Sequence, residues 1–277
     1  MDRIAFRIPL PFPPHHFDIA WYGIMIAVGS LFAVLTAVSR AKQSGEKPEN
    51  VLDLALWVLI AGLLGARVFF LISDMDWTGQ STSLFGVIKA FFQFRQGGLV
   101  FYGGLLLAIP VGILYLKVRK LAVWKYADIA APSIALGEAF ARVGCYLNTC
   151  CFGKPCPLNF PIPVTFPEGS FPETFYHKAN IPLYPTQFIS SINALILFAV
   201  FSILHRRKKF DGQIFWLFCA AYAVTRFLIE FLRGDNQPVF FKTLTVSQGV
   251  SLLLLPASLV MYFILRAKAR RTRATPQ

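Results

Sequence analysis

Three arginines stand inside runs that are otherwise apolar: Arg67 in LLGARVFFL, Arg142 in EAFARVGCY and Arg226 in AVTRFLIEF. Placing an arginine at the centre of a membrane helix costs roughly 2.5–3.5 kcal/mol, so each either reaches out to the interface or serves a site. Glu138 precedes Arg142 by four residues, and Glu230 follows Arg226 by four. That spacing puts acid and base on one helix face, where they can hydrogen-bond. Two readings follow. The pairs only lower the cost of insertion, or the carboxylates hold the guanidinium forks ready for an anion such as phosphate, which arginine grips bidentately.

Other polar or small residues cluster around these. In RQGGLVFYGGLLLAIP, Gly97/Gly98 and Gly103/Gly104 bracket Tyr102. Paired glycines let helices pack closely, and they equally let a backbone approach a ligand headgroup. Tyr22, in DIAWYGIM, fits an interfacial aromatic belt or a site position. The stretch ALGEAFARVGCYLNTCCFGKPCP adds Asn148 and four of the five cysteines, Cys145, Cys150, Cys151 and Cys156; Cys219 is the fifth. A nucleophilic cysteine wants a base beside it, and none of the four histidines is close in sequence. No C-x-x-C spacing occurs, so zinc is not expected; nor is any other metal or cofactor. A structural role is expected instead, with Cys150 or Cys151 to Cys156 as the disulfide if there is one. G-x-S-x-G, H-E-x-x-H and P-loop patterns are absent.

The elements that must position these residues are membrane helices. The chain has 277 residues, 56% hydrophobic and only 15% charged, against about 25% charged in soluble domains. Its mean hydropathy is +0.56. Seven spans are expected near 19–39, 51–73, 99–117, 126–149, 185–204, 212–232 and 244–265, each close to the roughly 20 residues a bilayer needs. Segment 82–96 is too short to cross and is expected as an interfacial amphipathic helix. The first 18 residues lack a signal-peptide core and make a short ordered or interfacial lead-in.

The net charge of +13 lies mostly in short clusters between apolar runs. With the N-terminus outside, sixteen Lys/Arg fall in inside segments and eight in outside ones; the remaining three are the intramembrane arginines. The positive-inside rule therefore predicts N-out/C-in. Basic clusters of this kind meet anionic headgroups, and nucleic acid is not expected as a partner. The external loop 150–184 is proline- and aromatic-rich, long for a connector, and expected as a lid, a binding element or a disordered segment. Residues 266–277 form a basic cytoplasmic tail. The fold class is all-α: a single polytopic membrane domain over 1–277.

In order along the chain, WYG (21–23), GAR (65–67), FYGG (101–104), ADIAAP (127–132), RVGCYLNTCCFG (142–153), YPTQ (184–187) and RFLIEFLRGDN (226–236) resemble the prolipoprotein diacylglyceryl transferase family. The resemblance implies a bacterial inner-membrane enzyme. It moves the diacylglyceryl group of phosphatidylglycerol to the lipobox cysteine of a prolipoprotein signal peptide, forming a thioether and releasing glycerol-1-phosphate. It also implies Arg142 and Arg226 as phosphate contacts and Glu230 as the orienter of Arg226. Tyr22, Asn148 and Gly153 match further family positions, and Arg67, Gln187 and Arg233 would support them. With Tyr102, Tyr22 joins the catalytic candidates; Gly98, Gly103, Gly104 and Glu138 join the substrate-binding ones.

This chain departs from the family in three places. Tyr102 stands where the family has His, and Cys145 and Cys150 stand where it has Asn and an acidic residue. Glu138 is outside the usual motif. Phenols ionise near pH 10, too high for an efficient base at neutral pH. Either Tyr102 only hydrogen-bonds, or the acceptor thiol loses its proton by another route, the lipid phosphate among them. The alternatives are a non-catalytic or altered-specificity paralogue, and a transporter using the intramembrane arginines.

Overall fold

The computed structural model describes residues 3–9, 16–73, 91, 100–236, 239 and 244–274. Two strands open it, β1 (Ile4–Pro9) and β2 (His16–Ala20), paired antiparallel with Arg7 opposite Asp18. Helices follow: α1 (Trp21–Gln43), α2 (Pro48–Ser73), α3 (Phe101–Val118), α4 (Val123–Leu147), α5 (Phe171–Tyr176), α6 (Thr186–His205), α7 (Gln213–Glu230) and α8 (Val246–Ala274). The described part of the lead-in is thus ordered, as two paired strands, which an all-α reading did not contain. Arg3 donates to the Gly169 carbonyl (2.7 Å) and lies over the Phe171 ring, which ties the strand pair to the segment before α5.

Among the described residues, six helices are long and apolar enough to cross a membrane: α1, α2, α3, α6, α7 and α8. The seventh long helix, α4, has 25 residues, about 37 Å at 1.5 Å per residue. That exceeds the roughly 30 Å hydrocarbon core, but α4 carries Lys125, Asp128, Glu138 and Arg142. The seven long helices fall on the seven expected spans. The main difference is α8, which continues to Ala274 because its basic end, RAKARRTRA, is made of good helix formers. The expected helix over 82–96 lies outside the described residues, Phe91 apart.

The chain forms two compact units, residues 1–37 with 127–277, and residues 38–126. In the second, α2 and α3 pack backbone to backbone. A Cβ on Gly65 would strike the Gly103 carbonyl oxygen, one on Gly103 would strike Phe69, and one on Gly104 would come within 2.8 Å of the Gly62 carbonyl. Small residues make this approach possible. Asp53 accepts from the Tyr115 hydroxyl (3.2 Å) and from Arg119 (3.3 Å), pinning the other ends of the same two helices.

In the first unit, α4 is the hub. Gly29 of α1 faces Phe140, and Thr36 and Ser133 share a hydroxyl hydrogen bond of 3.0 Å. Ala131 and Ala135 pack with Leu197 and Phe201 of α6 and with Ile214 and Phe218 of α7. The fully buried Asp128 accepts from the backbone N–H of Gly212 and of Phe215, both at 2.9 Å, and from Lys208 Nζ at 3.2 Å. A carboxylate on one helix thereby caps the N-terminus of another, satisfying amides that would otherwise be orphaned.

The 152–184 segment, expected as a lid, binding or disordered loop, is a packed structure. Phe152, Val164, Phe166 and Leu183 form a small core with Tyr146, Tyr176 and Ile181. Ser170 caps α5 by accepting from Glu173 N–H, and Glu173 accepts in return from Gly169 N–H at 2.7 Å, a reciprocal cap close to the capping box. Isolated bridges Pro155–Leu183 and Val164–Leu183 close the loop.

Because Asp128 serves two amides and a lysine at once, Asp128→Ala is expected to destabilise the protein by at least the cost of a lost cap, about 1–2 kcal/mol. Thermal unfolding in detergent should fall accordingly, and Asp128→Asn should fall less. An unchanged melting temperature for Asp128→Ala would reject the cap.

Candidate functional site

Glu138, Arg142 and Cys145 lie on one face of α4, spaced by four and three residues. Arg142 donates to Glu138 Oε1 through Nε (3.2 Å) and Nη2 (2.9 Å), and the same oxygen accepts from the Tyr222 hydroxyl of α7 at 3.3 Å. The carboxylate so fixes the guanidinium plane and leaves Nη1 directed at Cys151 Sγ, 3.9 Å away. Arginine held in this manner presents a pre-oriented fork, which lowers the entropy lost on binding an oxyanion.

The second pair is built the same way on α7, where Tyr222, Arg226 and Glu230 recur at intervals of four. Arg226 Nη1 lies 2.8 Å from Glu230 Oε2, and Arg226 Nη2 donates to Ser247 of α8 at 3.0 Å. Glu230 has a fully buried side chain. It also accepts from Thr245 Oγ1 (2.8 Å) and from Asn236 Nδ2, and Arg233 Nε stands 3.9 Å away. Removing one partner of such a pair leaves a buried charge uncompensated, which is strongly destabilising. Tyr222 interacts electrostatically with Glu138, Arg142 and Arg226 together, so the two ion pairs form one neighbourhood between α4 and α7.

The chain beyond α7 completes it. Arg233 forms a backbone bridge with Gly153 and clamps Asp235 with Nε and Nη2 at 2.8–3.0 Å. Gly153 must be glycine: a Cβ there would run into the Tyr184 carbonyl oxygen. Tyr22 lies at the start of α1, against Gly144 of α4, within electrostatic reach of Arg142 and the three cysteines. Asn148 donates to Cys150 Sγ at 3.7 Å. Gln187, buried at the start of α6, donates to the Cys150 carbonyl at 2.9 Å, so it shapes the turn that carries the site.

Of the expected site residues, the first unit thus brings together Tyr22, Glu138, Arg142, Asn148, Gly153, Gln187, Arg226, Glu230 and Arg233. Arg67, Tyr102, Gly103 and Gly104 belong to the other unit, and Gly98 lies outside the described residues. Arg67 is buried and donates through Nε to the Phe91 carbonyl at 3.0 Å. Gly103 and Gly104 serve the α2–α3 contact, and Tyr102 is partly exposed with its ring edge-on to Phe101. Tyr222, Asn236, Thr245 and Ser247 were not among the expected residues. Tyr222 had a signal, the four-residue step to Arg226, whereas the others act across turns and helices.

All five cysteines are free thiols. Cys150 and Cys151 gather with Cys145 and not with Cys156, the sulfur atoms of the three lying within 4.8 Å of one another. The expected 150/151–156 pairing is therefore replaced. Hydrogen bonds from Cys145 and Cys150, with the Arg233 and Arg142 charges behind them, hold the Cys151 thiol below the usual range against the opposing effect of burial. The Cys145 hydrogen bond lowers Cys150, but its contact with Cys151, burial and the Cys151 charge together push it up to about 11.

The family model described as prolipoprotein diacylglyceryl transferase matches residues 9–264. A phosphatidylglycerol–prolipoprotein diacylglyceryl transferase of Finegoldia magna is 31% identical over 94% of this chain and 94% of its own. Its counterpart in Clostridium tetani is 33% identical over 92% of this chain and 97% of its own. The Clostridioides difficile protein of the same name is 29% identical over 97% of both.

Thiolate, not thiol, is the alkylated species. A lowered pKa keeps Cys151 ionised at neutral pH, and a raised one keeps Cys150 protonated until the solution is strongly alkaline. Iodoacetamide at pH 7 should therefore modify Cys151 ahead of Cys150 in chelator-treated, metal-free protein, with Cys150 catching up as pH approaches about 11. Peptide mapping by mass spectrometry across pH reads this; equal rates at pH 7 would reject the assignment.

Proposed function

The chain belongs to the prolipoprotein diacylglyceryl transferase family, and we propose that it joins the diacylglyceryl group of phosphatidylglycerol to the lipobox cysteine of a prolipoprotein signal peptide at the Arg142–Arg226 site. It is a multi-pass membrane transferase of lipoprotein biosynthesis, and the bacterial inner membrane is where its lipid donor and secreted acceptor meet. In this reading the N-terminus and the 150–184 segment face outward and the basic tail faces the cytoplasm, following the distribution of Lys and Arg.

The step is an alkyl transfer at carbon. The acceptor sulfur, having lost its proton, attacks the glyceryl carbon that carries the phosphate. A C–S bond forms, the C–O bond breaks, and the electron pair leaves on oxygen as glycerol-1-phosphate. Negative charge accumulates on the departing phosphate, and catalysis requires donors fixed in advance around that charge. Arg142 and Arg226 are suited to this, each already oriented by a carboxylate four residues away. Arg233 adds a third cation, with Asp235 holding it. Asn148 and Tyr22 offer neutral hydrogen bonds beside Arg142.

The observation that carries the reading is the pair of carboxylate-oriented guanidinium groups on α4 and α7, linked through Tyr222. Glu138 and Arg142 stand inside α4, and Arg226 and Glu230 occupy the last turn of α7 with the Glu230 side chain fully buried, settings where a charge is costly. A site of this kind suits a singly charged phosphodiester that gains a second charge as it leaves.

Purified protein, phosphatidylglycerol and a lipobox peptide test it, with the peptide followed by mass spectrometry. A diacylglyceryl-mass adduct is expected, absent when the peptide cysteine is serine. Arg142→Ala should lower kcat/KM by about 10²–10³-fold, the usual loss for a donor to developing charge. Arg226→Lys should lose less, since charge is kept and only the fork is gone. An adduct formed at the wild-type rate by well-inserted Arg142→Ala would overturn the assignment.

A further inference from the structure

The cysteine cluster has no part in the step above, yet the fold holds it firmly. Cys145 sits in the last turn of α4, and Cys150 and Cys151 in the turn that follows. That turn has two non-glycine residues in the left-handed region, Thr149 (φ 56°) and Cys151 (φ 59°), a conformation that surrounding structure must enforce. The enforcing contacts come from buried side chains. Thr186 Oγ1 donates to the Cys151 carbonyl at 2.9 Å, Gln187 Nε2 donates to the Cys150 carbonyl at 2.9 Å, and Thr149 Oγ1 accepts from Phe171 N–H at 3.3 Å. The result brings three sulfurs within 4.8 Å of one another, separated by five and one residues in sequence.

We propose that Cys145, Cys150 and Cys151 bind one soft d10 cation, Zn(II) foremost, and that its open fourth position takes the acceptor thiol. Zinc–thiolate bonds of about 2.3 Å put the sulfurs of a tetrahedral site about 3.8 Å apart, so the cluster needs only a modest contraction. An all-sulfur donor set without imidazole or carboxylate selects Zn(II) or Cu(I) over harder ions. Charge also balances. Three thiolates and one Zn(II) carry a net −1, and Arg142, 3.9 Å from Cys151, and Arg233, which Cys151 senses electrostatically, lie alongside. Each thiol gives up its proton on coordination, with no change of oxidation state.

Three protein ligands leave one coordination place. A thiol bound there is deprotonated outright. The acceptor cysteine would then arrive as a zinc-bound thiolate beside Arg142, the group assigned to the leaving phosphate. Its proton goes to solvent, the C–S bond forms, and the phosphate departs with the C–O electron pair. This second half rests on the transferase reading; the binding of the cation does not.

The full-length protein, purified in detergent with a thiol-free reductant, is analysed for bound zinc and titrated with Co(II) as a coloured substitute. About one zinc per chain is expected, together with a sulfur-to-cobalt charge-transfer band. Both should be lost in Cys145→Ser, Cys150→Ser and Cys151→Ser, and kept in Cys156→Ser and Cys219→Ser. Where a serine variant misfolds, wild-type labelling decides: Zn(II) should shield Cys145, Cys150 and Cys151 from maleimide and leave Cys156 and Cys219 unchanged. Zinc no higher than in the triple-serine variant, or a disulfide joining Cys145 to Cys150 or Cys151 in freshly reduced protein, would overturn the site. Copper retained as Cu(I) in place of zinc would support the soft-cation site and overturn zinc as its occupant. Removal of the metal by a chelator should slow transfer at least tenfold, and added Zn(II) should restore it; transfer indifferent to the metal overturns thiol activation alone. Zinc bound by protein that makes no adduct in any state would sink the transferase reading and leave the site standing.

Discussion

Carboxylate–guanidinium pairing inside an apolar helix bundle is the constraint on which the first unit depends. Arg142 and Arg226 would each be costly in that setting without a partner, and each partner does more than neutralise. Glu138 Oε1 accepts from both Arg142 and Tyr222, which joins α4 to α7. Glu230 accepts from Thr245 and Asn236 while facing Arg226, which joins α7 to α8 and to the chain between them. The groups proposed to meet the lipid phosphate are therefore the groups that set how these helices meet. Substitution of either glutamate would disturb packing and chemistry together, because a buried arginine left alone is a charge with no compensation.

The same logic explains which parts of the molecule were legible in the residues and which were not. Seven long helices could be placed, six of them apolar enough to cross a membrane, because apolar length is a local property, and the i,i+4 pairs could be placed because helix periodicity is local too. α4 is the telling case. Its four charged residues keep it below the apolarity of the other six long helices, yet its pattern of small and apolar residues marked it as a helix all the same. What stayed hidden depends on contacts between distant segments. Ser247 reaches Arg226 across twenty-one residues, and Asp128 caps a helix that begins eighty-five residues later. The cysteine cluster was hidden for another reason. Its spacing matches no familiar ligand pattern, and only a turn with two left-handed residues brings its sulfurs together. The N-terminal strand pair escaped notice because a short proline-bracketed segment carries too few residues for a period of two to show.

Glycine carried two meanings in the sequence, and the structure separates them by location. Gly103 and Gly104 let α3 lie against α2, with carbonyl oxygens where a side chain would be. That is a packing role. Gly153 also avoids a carbonyl oxygen, that of Tyr184, but it does so in the bridge that seats Arg233 beside Glu230. The steric demand is alike in both places. What differs is the company each glycine keeps.

A site of several fixed cations has a consequence for the acceptor as well as the leaving group. Positive charge nearby favours the ionised form of a thiol, so arginines that stabilise phosphate also ease deprotonation of a cysteine brought alongside. Cys151 shows the effect within the protein, since Arg233 and Arg142 help hold its thiol below the usual range. The cost of that field is reduced nucleophilicity, because a thiolate of low basicity attacks less well. Guanidinium groups alone therefore trade acceptor reactivity for leaving-group stabilisation. Coordination to a soft cation alters that trade, because it secures the thiolate through a bond that attack at carbon releases. The three cysteines stand where such a division of labour would need them, one of them 3.9 Å from Arg142, the arginine proposed to meet the phosphate.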